Sequence, residues 1–416
     1  MSSQTDVLIV GGGVIGLACA HALLEAGRSV RLIERAAIGA GASSGNCGLI
    51  FVSDLVPLCI PGAVAGELAG MLRRTSPLYI HPSPDLRRIA WLFHFARHCR
   101  TDHLRRALRA RESLLGSSDR LFEELFAAGR LSAERERRGV LMIYRSEAAM
   151  RGYEKVNAWL APYGLAAEAR IGRELCSLEP ALREDVYGAW YHRADSHLRP
   201  EQLLASWQRL ARNGGAAVEE HCEVIGFEAA GGRVEAAVTA RGVFRAREFV
   251  LAAGAWSAPL AARLGVKLPI QPGKGYSITM GRPDPCPAIP CYFHERRVVA
   301  TPWPSGYRLG GTMEFAGFDA TLSPVRLEAL RRAAADYLRA PLGGPPVEEW
   351  AGLRPMTYDD LPAIGRAPGC TNLTVAAGHG MLGITTAPAT GRLVAEIVAG
   401  APPHIDPEPF RLTRFR

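Results

Sequence analysis

The nine cysteines of this 416-residue chain include no C-x-x-C pair. They lie scattered at Cys19, Cys47, Cys59, Cys99, Cys176, Cys222, Cys286, Cys291 and Cys370. An odd, dispersed set does not make a disulfide framework and argues for reduced thiols in a cytosolic setting. Metal spacing is missing too. His94, His98, Cys99 and His103 are close in sequence, but WLFHFARHCR reads as an amphipathic helix with half-buried histidines, so no metal is expected. No apolar run is long enough to span a bilayer; the best candidate, Val56 to Leu72, is broken by Pro57, Pro61, Gly62 and Glu67. No signal peptide precedes the first strand, which begins within a few residues of Met1, and a cytoplasmic location is expected. Internal repeats, low-complexity tracts and nucleic-acid reading modules are all lacking, so no nucleic-acid partner is expected.

What is present is ordinary for a globular chain with room for two domains: 48% hydrophobic and 22% charged residues. The net charge is +8, with much of the excess carried by arginines between Arg73 and Arg138. Such a face suits anionic lipid or an acidic partner, and equally a solvated helical surface.

Residues 6–34, DVLIVGGGVIGLACAHALLEAGRSVRLIE, organise the rest. Val7 to Val10 reads as a buried parallel strand, Val14 to Leu24 as a helix of small apolar residues, and Val30 to Ile33 as a second strand. Gly11, Gly13 and Gly16 fall in G-x-G-x-x-G spacing between strand and helix. They serve the tight turn, pyrophosphate approach and helix–strand contact respectively. The helix N-terminus, at Val14 and Ile15, offers unpaired N–H groups to phosphate. Glu34 ends the second strand, where a carboxylate accepts ribose hydroxyls. The unit predicts a dinucleotide but leaves NAD and FAD open.

The loop RAAIGAGASSGNCGLI follows, with Ser43, Ser44, Asn46 and Gly48 as donors and gaps. Residues 55–85, rich in proline, read as a covering segment. Period predicts helix over 86–130, strand over 139–146 and helix over Ala148 to Trp159. YGAWYHRADSHLRP reads as a strand that turns back, and the next helix ends at Gly214. A meander with turns at Gly231–Gly232 and Arg241–Gly242 returns to an apolar strand, then Ala253-Gly254. Residues 268–316 are strand-rich and 323–339 helical. Near the C-terminus, strand Leu373 to Ala376, glycines 378, 380 and 383, and a helix from Thr386 make a second strand–loop–helix unit. A helix N-terminus there suits the charge that a reduced flavin carries near N1 and C2=O, which NADH lacks; this favours FAD.

Several stretches then resemble the D-amino acid dehydrogenase small subunits, within the wider D-amino acid oxidase and glycine oxidase superfamily. They are GGGVIG with Glu34, SSGNCGLI, GKGYSITM at 273–280 and YRLGGTMEFAGF at 307–318. To these are added GLRPMTYDDLPAIGR at 352–366 and GHGMLGITTAPATGRLVAEIVAG at 378–400. The resemblance covers nearly the whole chain. It implies an α/β fold, α+β overall: a Rossmann-like FAD-binding domain plus a substrate domain with a mixed or antiparallel sheet and helices. The expected division assigns 1–87, 195–262 and 351–416 to the FAD domain and 88–194 and 263–350 to the substrate domain. The expected cofactor contacts are Gly11, Gly13, Val14, Ile15, Gly16, Glu34 and Arg35, then Ser43, Ser44, Asn46, Cys47 and Gly48. Val224, Ala253 and Gly254 add the meander's share, and Gly378, Gly380, Met381, Gly383, Ile384 and Thr385 the C-terminal share.

The resemblance further implies oxidation of an amino acid at its Cα–N bond, with electrons passed to a quinone-type respiratory acceptor. A partner subunit and peripheral contact with the cytoplasmic face of the inner membrane belong to the same expectation. Arg354, the Arg of GLRP, is implied to receive the substrate carboxylate, which its fork matches. The competing reading is a structural ion pair with Asp359 or Asp360. Tyr276 and His379 are candidates for substrate contact or tuning, or else a packed aromatic and a loop histidine. The chain departs from glycine oxidases in two places. RRVVATPW carries no carboxylate-binding Tyr, and Met381 stands where those enzymes have a second substrate Arg. A D-proline or D-hydroxyproline dehydrogenase and a weakly catalytic flavin subunit therefore remain as alternatives.

Overall fold

Thr5–Val10 forms a central strand because its apolar run is buried on both faces. In the computed structural model, which describes residues 5–62, 76–82 and 84–415, this strand runs parallel to Val30–Ile33 on one side and to Gly242–Leu251 on the other. Ala217–Glu219 extends the sheet beyond Val30–Ile33, and Leu373–Ala377 pairs in parallel with the C-terminal half of Gly242–Leu251. Ala363–Arg366 closes that edge antiparallel. The N-terminal half of Gly242–Leu251 leaves this register for a meander with Arg233–Thr239 and Val224–Ala230. Helices Val14–Glu25, Thr101–Ala127, Pro200–Asn213 and Gly383–Ala399 cover one face. The first and last of these touch closely, since a Cβ on Gly391 would meet the Ala18 carbonyl.

A second sheet has the order Pro346–Thr357, Ile270–Met280, Gly306–Phe315, Val298–Trp303, Cys291–Phe293, Val140–Tyr144, Gly188–His192, Glu168–Ile171. Its pairings are antiparallel except Cys291–Phe293 with Val140–Tyr144, and Leu78–Ile80 with Gly306–Phe315. Helix Pro324–Tyr337 buries Leu327, Leu330 and Ala334 against it.

Several sequence expectations change. YGAWYHRADSHLRP does not fold back on itself: Gly188–His192 joins the large sheet, while Ser196–Leu198 pairs with Leu49–Ile50 and Arg135–Glu136. The single helix expected over Ala148 to Trp159 is two, Glu147–Gly152 and Glu154–Leu160. The break has a cause, because Trp190 Nε1 donates to the Met150 carbonyl at 3.0 Å, which a continuous helix would give to residue 154. The covering segment at 55–85 lies partly outside the described residues, but Leu78–Ile80 within it is a strand. The arginines from 88 to 138 are not all solvated: Arg88 and Arg111 are buried. The boundary expected at 350/351 falls inside the strand Pro346–Thr357.

Candidate active site

A cavity of about 1570 Å³ opens between the two sheets. That exceeds the volume of an ordinary small-ligand cleft, roughly 300–1,000 Å³, and leaves room for a dinucleotide and a substrate together. The first unit builds one end. Gly11 has a φ of +114° and a Cβ there would strike the backbone of Ala252–Ala253. Gly13 meets only Ser43 Oγ, so its backbone stands open to the cavity. Ser43 Oγ accepts the Val14 N–H at 3.1 Å, at the helix start. The Glu34 carboxylate lines the cavity and accepts from Gly12 N at 2.7 Å and Ala36 N at 3.0 Å, which fixes it at the strand end. Arg35 lies over the Trp256 ring at 3.5 Å, both against the cavity with Val224, Ala253 and Gly254.

Beside Val14, helix Gly383–Ala399 starts without a side-chain cap, and Gly380, Met381, Gly383 and Ile384 face the same cavity. Uncapped N–H groups aimed at a ligand suit negative charge. Backbone open at Gly13, a fixed acid at Glu34 and a second helix N-terminus together fit FAD.

Arg354, on the strand Pro346–Thr357, lines the same cavity. Protein surrounds it, its open face is toward the cavity, and burial pushes its guanidinium below the ordinary value. Nη1 donates to the Thr312 carbonyl at 2.7 Å. No carboxylate pairs with it among the described residues. The two candidates for a structural ion pair are engaged elsewhere: Asp359 with Arg414 at 2.7 Å, and Asp360 with Arg111 at 2.5 Å. Cys47 and Tyr292 lie within electrostatic reach of Arg354, and burial pushes the Cys47 thiol up.

Tyr276 lines the cavity, but its hydroxyl donates to Glu314 at 2.8 Å, and that carboxylate also faces Arg326. His379 lines it too. Burial lowers its pKa to about 3, so it is neutral, with Nε2 at 3.1 Å from Thr390 Oγ1. Asn46 faces the cavity while its side chain accepts the Gly48 N–H at 2.7 Å.

Five expected contacts do not line the cavity. A Cβ on Gly16 would run into the Gly11 carbonyl, so this glycine serves helix–strand packing. Ser44 turns its carbonyl to Arg308, and Gly48 packs on the Leu198 carbonyl. Gly378 abuts Thr357. Thr385 Oγ1 accepts from Phe51 N and donates to the Leu49 carbonyl, tying the loop to the helix.

Sequence reasoning missed a wall formed by Phe51, Met142, Tyr153, Tyr292 and Trp350, which reaches the cavity from four separate segments. It also missed Arg308, fully buried, whose guanidinium gathers the carbonyls of Ser44 and Asn46 at 2.7 Å and pairs with Glu201. No cluster of metal-ligating side chains occurs among the described residues.

Residues 6–397 match the family model described as DAO, FAD dependent oxidoreductase. A D-amino acid dehydrogenase of Cereibacter sphaeroides is 30% identical over 420 residues, covering 98% of this chain and 95% of that protein. One from Neisseria meningitidis is 30% identical and covers 99% of each chain. The glycine oxidase structure from Geobacillus kaustophilus superposes with a TM-score of 0.79 at 26% identity, covering 99% of this chain and 98% of the other.

Proposed function

This chain belongs to the DAO family of FAD-dependent oxidoreductases, and we propose that it is a D-amino acid dehydrogenase. It oxidises the Cα–N bond of a D-amino acid to an imine, which water hydrolyses to a 2-oxo acid and ammonia. The observation that carries this reading is Arg354: a cation enclosed by protein, facing the flavin cavity, with no carboxylate partner among the described residues. A half-buried charge of that kind is costly unless a ligand completes it. A carboxylate does so in bidentate fashion and fixes which end of the amino acid points inward. The names of the relatives at 30% identity support the D series.

The chemistry that bound FAD supplies is acceptance of a hydride from Cα. The protein supplies orientation and field. Arg354 holds the carboxylate, and the uncapped start of helix Gly383–Ala399 favours negative charge beside it in the cavity lining. His379, neutral and held by Thr390, and Tyr276, donating to Glu314, line the site without serving as proton acceptors. The wall of Phe51, Met142, Tyr153 and Tyr292 suits an apolar substrate side chain.

Electrons then pass to a quinone-type acceptor rather than O₂, at the cytoplasmic face of the inner membrane. Helix Leu86–His98 supports this placement: Leu86, Ile89 and Phe93 are exposed along it and Arg97 lies in its last turn. No helix among the described residues is long and apolar enough to cross a membrane.

The test is an anaerobic screen of D- and L-amino acids and cyclic secondary amines on the purified yellow protein, read as flavin bleaching. Rapid bleaching by a primary D-amino acid, with dye reduction far faster than peroxide formation, is expected. Preference for D-proline would select the secondary-amine reading, and no bleaching by any substrate would select the weakly catalytic subunit.

A further inference from the structure

The motif GKGYSITM has a glycine that the cofactor does not use. Gly275 lies on the strand Ile270–Met280, opposite Gly352 on the neighbouring strand that carries Arg354. A Cβ built on Gly275 would fall among the Cζ, Nη1 and Nη2 atoms of Arg354. The guanidinium therefore lies flat on bare backbone. Its φ does not require glycine, because Gly275 is absent from the positive-φ residues. The missing side chain answers to the arginine, not to a turn.

The opposite neighbour of Gly275 is irregular in the same place. On the strand Gly306–Phe315, pairing jumps from Tyr276↔Gly311 to Lys274↔Glu314, so Thr312 and Met313 together face Gly275. Thr312 takes a φ of +58°, which is strained for a β-branched residue. The bulge turns the Thr312 carbonyl onto Arg354 Nη1 at 2.7 Å, while the Thr312 N–H reaches the Arg297 carbonyl at 3.1 Å. Bulges beside functional sites commonly re-aim one group in this way.

We infer that Gly275 is a positioning residue for substrate binding: with the Thr312 bulge it forms a seat that holds the Arg354 fork with its unpaired edge toward the cavity. The inference rests on the reading of Arg354 as the carboxylate receptor, and goes beyond it by assigning the orientation of the fork to two backbone features.

The experiment uses the flavin-loaded protein and benzoate, a carboxylate without a reacting amine, titrated by the flavin difference spectrum. Gly275→Ala is expected to weaken benzoate about thirtyfold or more, the scale of losing a charge-assisted pair. KM for the amino acid should rise in parallel, with the flavin spectrum and melting temperature little changed. The decisive arm is a double-mutant cycle. In an Arg354→Lys background, a slim ammonium clears the added methyl, so Gly275→Ala should change benzoate affinity less than threefold. A purely structural glycine would give the same loss in both backgrounds, and that result overturns the inference. Equal benzoate binding by wild type and Gly275→Ala also overturns it. Should Gly275→Ala lose flavin, Thr312→Gly gives the second measurement. Glycine adopts the left-handed backbone freely, so the bulge and its carbonyl should persist and benzoate affinity stay within threefold. A large loss there would remove the backbone carbonyl from the argument. Failure of the underlying reading looks different: Arg354→Leu would then bind benzoate as well as wild type does.

Discussion

Replacing Arg354 by leucine tests the site at its centre. Within the protein the wild-type guanidinium donates only from Nη1, to the Thr312 carbonyl and the Met313 sulfur, and has no carboxylate partner among the described residues. Its loss therefore breaks no ion pair, and removal of an enclosed charge even lowers a desolvation cost. The fold and the flavin should survive. Substrate suffers instead, because its carboxylate would enter a low-dielectric cavity without a counter-charge. Losing one partner of such a pair costs about 2–5 kcal/mol, or roughly thirty- to several-thousand-fold in kcat/KM. Arg354→Lys should recover part of this, since an ammonium keeps the charge but not the fork. The assay compares an amino acid with its decarboxylated amine in wild type and both variants. The amine, with nothing for Arg354 to hold, should differ little between them. Equal fold-losses for acid and amine, or loss of flavin with general destabilisation, would refute the reasoning and return Arg354 to a structural role.

Other perturbations reach the rest of the molecule. Gly13→Glu should yield a folded but colourless protein, because its carboxylate would project into the space at Gly13 that is open to the cavity; absorption at flavin wavelengths in the variant would contradict this. A chain ending before residue 370 lacks the strand Leu373–Ala377 and helix Gly383–Ala399, and should neither fold stably nor stay yellow, as a spectrum and a melting curve will show. Acid should destabilise the protein. Burial lowers His379 to about 3 and His192, His197 and His294 to about 4, from 6.5, so the unfolded chain binds more protons below pH 6.5 and stability present above that pH is lost toward pH 4. Each such proton contributes about 1.4 kcal/mol per pH unit. Asp54 and Asp195, raised to about 6 and 8 by burial, act in the opposite sense but are fewer. A melting temperature that holds or rises between pH 6.5 and pH 4 would refute the balance.

The parts of the molecule legible in the chain are those whose signals are local. Strand, glycine loop and helix at residues 5–25 follow one another, so period and spacing reveal the unit, and the same holds near residue 380. The meander's turns announce themselves by their glycines, at Gly231–Gly232 and Arg241–Gly242. Motif membership, however, does not separate packing from ligand contact. Gly16, Gly48 and Gly378 share the ligand-binding pattern but are spent on carbonyls and side chains of the protein itself. Non-local pairing is silent in the sequence. Nothing near Asp360 shows that Arg111, 249 residues away, takes its carboxylate, and so nothing local frees Arg354 from a structural partner. The break at Tyr153 depends likewise on Trp190, from another strand. The seat of Arg354 is the sharpest case. GKGYSITM, YRLGGTMEF and GLRP each look like plain strand sequence, and the bulge exists only once Gly306–Phe315 is set against Ile270–Met280 with one residue in excess. The chemistry of this site is thus carried by one arginine that the sequence displays, while its aim is carried by a register between strands that no single stretch contains.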